Sequence, residues 1–249
     1  CENSAMTEFD IAIVGAGIAG ASLAWRLAGH RSVLLLERET QPGYHSTGRS
    51  AAMFMESYGP PAVRALTRAS RAFYENPPVG FTDAALLKPR GALYLAIHGQ
   101  ETLMNHTRAE LAAGCPDLQV LGAADVMARV PCLRPELIHG ALFDGASQDI
   151  DVHALHQGFL RGFRSLGAQT SELRTAVTLT QARHDGQRWH LHLADGQVLS
   201  ARTVVNAAGL YAPDLARQFA GLDAQHVPTA YYAKGNYFTL AGRAPFSHL

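Results

Sequence analysis

Cysteine is scarce in this chain: among 249 residues there are three, one at position 1 and the isolated Cys115 and Cys132. Two separated thiols support neither a disulfide framework nor a Cys-rich metal site, and the cytosol is the default compartment. Net charge is missing as well. Lys plus Arg and Asp plus Glu both number 21, so no overall field draws the chain to nucleic acid, an anionic membrane or a strongly charged substrate. Long apolar runs are lacking too. Apolar runs such as residues 11–14 and 33–36 fall far short of the ~20 residues that span a bilayer as a helix. A location in the cytosol, or at most at a membrane periphery, is therefore expected. Residues 1–6 have neither a basic start nor an apolar stretch and read as a leftover tag rather than a signal peptide. Internal repeats and low-complexity segments are absent. What remains is an ordinary globular composition, 47% hydrophobic, long enough for one large or two modest domains.

The most informative stretch comes first. Residues 9–14 are apolar and lead straight into Gly15-Ala16-Gly17-Ile18-Ala19-Gly20; residues 21–28 are helix formers up to Gly29, and the run 32–36 ends at Glu37. This reads as strand, tight turn, helix and second strand. A pyrophosphate can approach backbone only where side chains are absent, which calls for glycine at the turn, at the contact and where helix meets strand. A helix opening at Ile18 would aim its free N–H groups and positive dipole end at the phosphates. Glu37, ending the second strand, is placed to accept hydrogen bonds from the adenosine ribose hydroxyls, whereas a 2′-phosphate would ask for a basic or neutral residue. A lone glycine fingerprint is weak, but here strand, helix, second strand and terminal acid agree.

Whether the nucleotide is NAD or FAD stays open on the fingerprint alone. Two features favour FAD. The chain leaves its parallel sheet after Glu37 and offers another buried strand only at residues 203–207. Before that strand, three short ones punctuated by Asp185-Gly186 and Asp195-Gly196 predict a β-meander, which resembles the part of glutathione-reductase-like flavoproteins that closes over the adenine. Helices are expected over 61–74, 101–113, 123–129 and 152–166, and strands within 86–97, broken at Pro89-Arg90-Gly91. The fold class is α/β: a split Rossmann-like FAD-binding domain with a β-meander (residues 7–80 and 151–222), plus an α+β substrate domain (residues 81–150 and 223–249).

Several motifs carry a family resemblance. Leu36-Glu37-Arg38-Glu39, residues 41–52 (Gln41-Pro42-Gly43-Tyr44-His45-Ser46-Thr47-Gly48-Arg49-Ser50-Ala51-Ala52), Leu155-His156-Gln157-Gly158 and Leu160-Arg161-Gly162 are very similar to D-arginine dehydrogenases. Lys234-Gly235-Asn236-Tyr237-Phe238 and Pro245-Phe246-Ser247-His248-Leu249 are instead similar to L-2-hydroxyglutarate dehydrogenases and oxidases. From Thr7 to Leu249 the chain thus resembles the D-amino-acid oxidase superfamily of FAD-dependent oxidoreductases.

The resemblance implies FAD as cofactor and a small α-hydroxy or α-amino acid as substrate, with a hydride passing from its α-carbon to flavin N5. Oxygen, a quinone or a carrier protein would accept the electrons. It also implies a set of FAD contacts: Gly15, Ala16, Gly17, Ile18, Ala19, Gly20, Glu37 and Arg38; Ser46, Thr47, Arg49, Ser50, Ala51 and Ala52 on the loop that wraps the pyrophosphate and runs under the flavin; Val177 at the adenine; and Ala208 and Gly209 beside the pyrophosphate. Lys234 aligns with a basic residue near the substrate carboxylate. Met53 stands where D-arginine dehydrogenases carry a substrate-holding histidine, and Ala84 or Ala85 stands near their glutamate. A guanidinium would be left buried and unpaired there, so a 2-hydroxyglutarate-like acid is favoured over arginine. His98 and Tyr58 are candidates to line the substrate cavity. His153 and His156 share a helix face without a third ligand and are expected as surface or core histidines; no metal is expected. No catalytic residue is assigned, since the resemblance implies further segments past Leu249. The rival readings are a non-catalytic dinucleotide-binding redox sensor and an NAD-dependent dehydrogenase.

Overall fold

A computed structural model describes residues 8–231 and residue 235. The first half of the chain forms β1 (Glu8–Val14), α1 (Ile18–Leu27), β2 (Val33–Leu36), β3 (Met53–Phe54), α2 (Pro61–Glu75), β4 (Leu87–Pro89), β5 (Ala92–Ile97) and α3 (Glu101–Leu111). The second half forms β6 (Leu118–Gly122), α4 (Ala123–Arg129), β7 (Ile138–Asp144), β8 (Gln148–Ile150), α5 (Val152–Leu166), β9 (Glu172–Arg174), β10 (Leu179–His184), β11 (Trp189–Leu193), β12 (Val198–Asn206) and α6 (Ala212–Ala216). These elements make two compact units, one from residues 8–50, 80–82 and 152–231, the other from residues 51–79 and 83–151 with residue 235.

The first unit is built on a six-stranded sheet in the order β10-β11-β12-β1-β2-β9. β1 lies parallel to both β2 and β12, and β9 continues the parallel set beyond β2. All four residues of β2 are buried, as expected for a strand covered on both faces. The core joins Phe9, Ala12, Leu34 and Leu36 to Leu191, Leu193, Leu199 and Ala201 from the antiparallel end. The two Asp-Gly turns form as their chemistry dictates. Asp185 Oδ1 accepts from the Gln187 and Arg188 N–H groups, each at 2.8 Å, and Asp195 Oδ1 accepts from Gln197 N–H at 2.9 Å, so each aspartate supplies the turn's own acceptor.

One expectation about this sheet changes. The third meander strand and the returning parallel strand are a single element. β12 pairs antiparallel with β11 through residues 198–201 and parallel with β1 through residues 200–206. The return to the parallel sheet also comes earlier than residue 203, because β9 already pairs with β2.

The expected domain limits differ from the observed units at three places, each with a local cause. Residues 51–79 group with the second unit because Met53 and Phe54 pair with Asp149 and Gln148, and Ile150 N–H donates to the Ala52 carbonyl at 2.9 Å. Residues 80–82 return to the first unit because Phe81 lies in an aromatic cluster with Trp25 and Phe159, centroids 5.1 to 5.5 Å apart, and its carbonyl accepts from Arg161 at 2.6 Å. Residues 223–231 stay with the first unit; the chain leading to them is tied to β10 where Ala182 N–H donates to Gln218 O and Ala220 N–H to Ala182 O.

The second unit holds two three-stranded sheets, β3-β8-β4 and β5-β7-β6. Leu121, Val126, Ile138 and Ala141 form a core between the latter sheet and α4. Asp144, buried at the end of β7, is fully supplied with donors. It accepts from Ser57 Oγ at 2.5 Å, Ser147 Oγ at 2.8 Å and Ala146 N–H at 3.0 Å, which is what a carboxylate needs to remain inside.

Candidate functional site

The C-terminal ends of β1, β2 and β12 lie side by side, and the turn after β1 is packed from both directions. Gly15 has φ +107°, and a β-carbon added to it would lie 2.4 Å from the Ala207 carbonyl oxygen. A β-carbon on Gly20 would lie 1.8 Å from the Gly15 carbonyl oxygen, so α1 can sit this close to its own turn only without a side chain there. Gly15 N–H donates to Leu36 O at 2.8 Å and Ala207 N–H to Val14 O at 2.9 Å, which locks the turn to both neighbouring strands.

Glu37 follows directly on β2 and is buried. Its Oε2 accepts from Ala16 N–H at 2.9 Å and its Oε1 from Glu39 N–H at 3.0 Å. Each oxygen keeps a further lone pair. The carboxylate therefore fixes the glycine turn and still has acceptor capacity for two more donors. At the start of α1, Gly17 is the N-cap without a side-chain cap, and no acidic residue lies in the first turn. Thr47 Oγ1 accepts from Ile18 N–H at 3.0 Å. The positive end of the helix is otherwise left to an anion, which such a terminus attracts.

His156 of α5 is the residue sequence reasoning placed only as a surface or core histidine. It is buried, and its Nε2 lies 2.8 Å from the Ala16 carbonyl oxygen. Burial lowers its pKa, opposed by that hydrogen bond; the neutral ring with its proton on Nε2 fits the contact. Ala16 is thus held at its N–H by Glu37 and at its carbonyl by His156. The one available signal was the motif Leu155-His156-Gln157-Gly158, whose partner is a backbone atom far away in sequence.

Replacing His156 with Leu should leave the buried Ala16 carbonyl unpaired, at a cost of about 1–3 kcal/mol. A fall of several degrees in melting temperature is expected at neutral pH. Because the folded-state pKa is lowered, this stabilisation is complete above the ordinary histidine pKa of about 6.5 and shrinks as pH falls below it. The gap between the two proteins should therefore narrow on acidification; a gap that widens would remove His156 as a neutral anchor.

Around this turn the structure also gathers Val177, Ala208 and Gly209. Val177 N–H donates to Glu37 O at 2.9 Å. The Ala208 Cα would lie 3.1 Å from a β-carbon on Gly15, and Gly209 follows with φ +56°. Arg38 stacks on Tyr211, 4.3 Å from the ring centre. Its pKa is raised, chiefly by a hydrogen bond to that phenol. Glu39 is held low by His45, 2.8 Å away.

A family model described as FAD dependent oxidoreductase, DAO, matches residues 10–248. The chain belongs to the DAO family of FAD-dependent oxidoreductases. Its sequence is 25% identical to the mitochondrial L-2-hydroxyglutarate dehydrogenase of Arabidopsis thaliana, over all of this chain and 58% of that protein. Among solved structures it is similar to glycine oxidase from Geobacillus kaustophilus, with TM-score 0.74, 22% identity, and coverage of 86% of this chain and 58% of that one. It is also similar to L-α-glycerophosphate oxidase from Mycoplasma pneumoniae with FAD bound, with TM-score 0.73, 17% identity, and coverage of 86% and 57%. The chain therefore spans somewhat more than half the length of these relatives.

Other residues expected at this DAO-family site are placed less tightly. Ser46, Arg49 and Ser50 are exposed on their loop, with the Arg49 guanidinium 4.6 Å over the Tyr44 ring. Ala51, Ala52 and Met53 belong to the second unit, where Met53 begins β3. Tyr58 and His98 are exposed. Lys234 lies outside the described residues. Among the described residues no helix is long and apolar enough to cross a membrane.

Proposed function

We propose that this chain is the FAD-holding portion of an oxidoreductase that oxidises a small α-hydroxy acid, with a 2-hydroxyglutarate-like dicarboxylate favoured and an α-amino acid as the second class of substrate. The observation that carries the reading is the buried Glu37 bound to a glycine turn at the open end of α1. Gly15 to Gly20 present backbone to the pyrophosphate, the α1 N-terminus adds its dipole, and Glu37 accepts from the adenosine ribose hydroxyls. Val177, Ala208 and Gly209 flank the adenine and the pyrophosphate, and residues 46–52 continue toward the flavin. When bound, FAD supplies the redox chemistry by accepting the hydride that leaves the substrate α-carbon. Lys234 is assigned to the substrate carboxylate, which in an apolar cavity needs a cation. A cytosolic or membrane-peripheral location goes with this reading, and oxygen, a quinone or a carrier protein would take the electrons.

The similarity to a 2-hydroxyglutarate dehydrogenase over the whole chain supports the substrate class. Met53, Ala84 and Ala85 stand at or near the positions where arginine would need polar or acidic partners, and a buried unpaired guanidinium is costly. The test is anaerobic flavin bleaching by a panel of 2-hydroxyglutarate, neutral α-amino acids and D-arginine. D-arginine should reduce the flavin at least about tenfold more slowly than the best acid, a gap of roughly 1.4 kcal/mol. Faster bleaching by D-arginine than by the acids would overturn the assignment.

A further inference from the structure

Apart from the nucleotide site, the second unit brings together three side chains with metal-ligating atoms. His98 follows the last residue of β5, Glu101 opens α3 and His139 is the second residue of β7. The antiparallel pairing of β5 with β7, which puts Ile97 opposite Ile138, delivers the two histidines to the same end of the sheet. Their ring centroids are 5.9 Å apart. His139 Nδ1 lies 3.4 Å from Glu101 Oε1, and ligating atoms of all three residues lie within 4.8 Å of one another.

A tetrahedral ion with bonds of about 2.0–2.2 Å sets its ligand atoms roughly 3.3–3.5 Å apart. The His139–Glu101 edge already has that length, and the remaining edges close by rotating side chains that are partly or wholly exposed. Glu101 is also oriented for the task, because its Oε1 accepts from Gly99 N–H at 3.1 Å. A surface ion pair would account for Glu101 and His139 alone; the second imidazole is what makes the group a chelate.

We propose that His98, Glu101 and His139 bind a divalent transition metal of the zinc class, with water completing the coordination. Two imidazole nitrogens and one carboxylate suit such an ion, whereas calcium and magnesium ask for oxygen donors throughout. The ion would clip the turn between β5 and α3 to the start of β7. This inference stands independently of the substrate assigned above.

The experiment is a Co2+ titration followed by displacement with Zn2+, on the complete flavin-loaded protein carrying Cys132→Ser to remove the exposed thiol. One equivalent should bind with the visible absorption of low-coordinate cobalt. Loss of an outer partner of a metal site already weakens binding by about 10–100-fold, so His98→Ala and His139→Ala should each weaken it by at least that much. Flavin content should stay unchanged in both, which keeps loss of metal separate from loss of fold. Equal affinity in the parent and both variants, or no stoichiometric binding in the parent, would overturn the site.

Discussion

Gly15→Ala should yield protein that retains less than about a tenth of the parental FAD, equivalent to a loss of at least roughly 1.4 kcal/mol. Two independent penalties meet at this residue. Its φ of +107° is one that side chains rarely adopt, and the new β-carbon would be 2.4 Å from the Ala207 carbonyl oxygen. Strain of this kind costs about 1–3 kcal/mol, and the clash is with backbone that cannot swing aside. Relief requires β1 and the 206–208 turn to separate, which breaks the Ala207–Val14 hydrogen bond. Flavin absorbance relative to protein absorbance after gel filtration measures the outcome. Full occupancy in the variant would mean that the turn is not where the phosphates bind.

Glu37→Ala should also release FAD, by about tenfold or more after dialysis, since a hydrogen bond to a charged group contributes roughly 1.5–3 kcal/mol. The structure adds a second effect. The variant leaves the Ala16 and Glu39 N–H groups without their side-chain acceptor, so the glycine turn loosens even before the nucleotide arrives. Glu37→Gln gives an intermediate case, because its single carbonyl oxygen can still hold Ala16 and offer one lone pair to a ribose hydroxyl, while the second acceptor, on the oxygen that holds Glu39 N–H, is lost. The expected order of retention is parent, Gln, Ala. An Ala variant that keeps all its FAD through dilution would refute the ribose assignment.

The parts of the fold that could be read from the sequence are those whose chemistry is local. The β1–α1–β2 unit follows from an apolar run, three glycines and a terminal acid, and the turns at Asp185 and Asp195 satisfy their own backbone. The helices over 123–129 and 152–166 have the limits that the sequence suggests. What the sequence hides is non-local. No turn residue marks where β12 changes partner from β11 to β1, so one strand reads as two. Phe81 looks like an ordinary loop aromatic until Trp25 and Phe159 surround it. Glu37 is legible at the end of a strand, but His156 is not, because what it meets is the carbonyl of Ala16. The histidines of the proposed metal site are separated by α3, β6 and α4, and only strand pairing joins them.

The double role of β12 bears on how the protein is made. β1 finds β2 within a short stretch of chain, but on its other side Glu8 pairs with Ser200, 192 residues further on. At translation speeds of about 5–20 residues per second that edge waits roughly 10–40 s for its partner. Throughout that interval a buried-type strand presents unpaired backbone to the crowded surroundings of the ribosome, as an exposed sheet edge does. Closure of the nucleotide sheet therefore has to wait until residues 200–206 emerge, and the nascent chain depends until then on whatever shields β1 from pairing with a stranger.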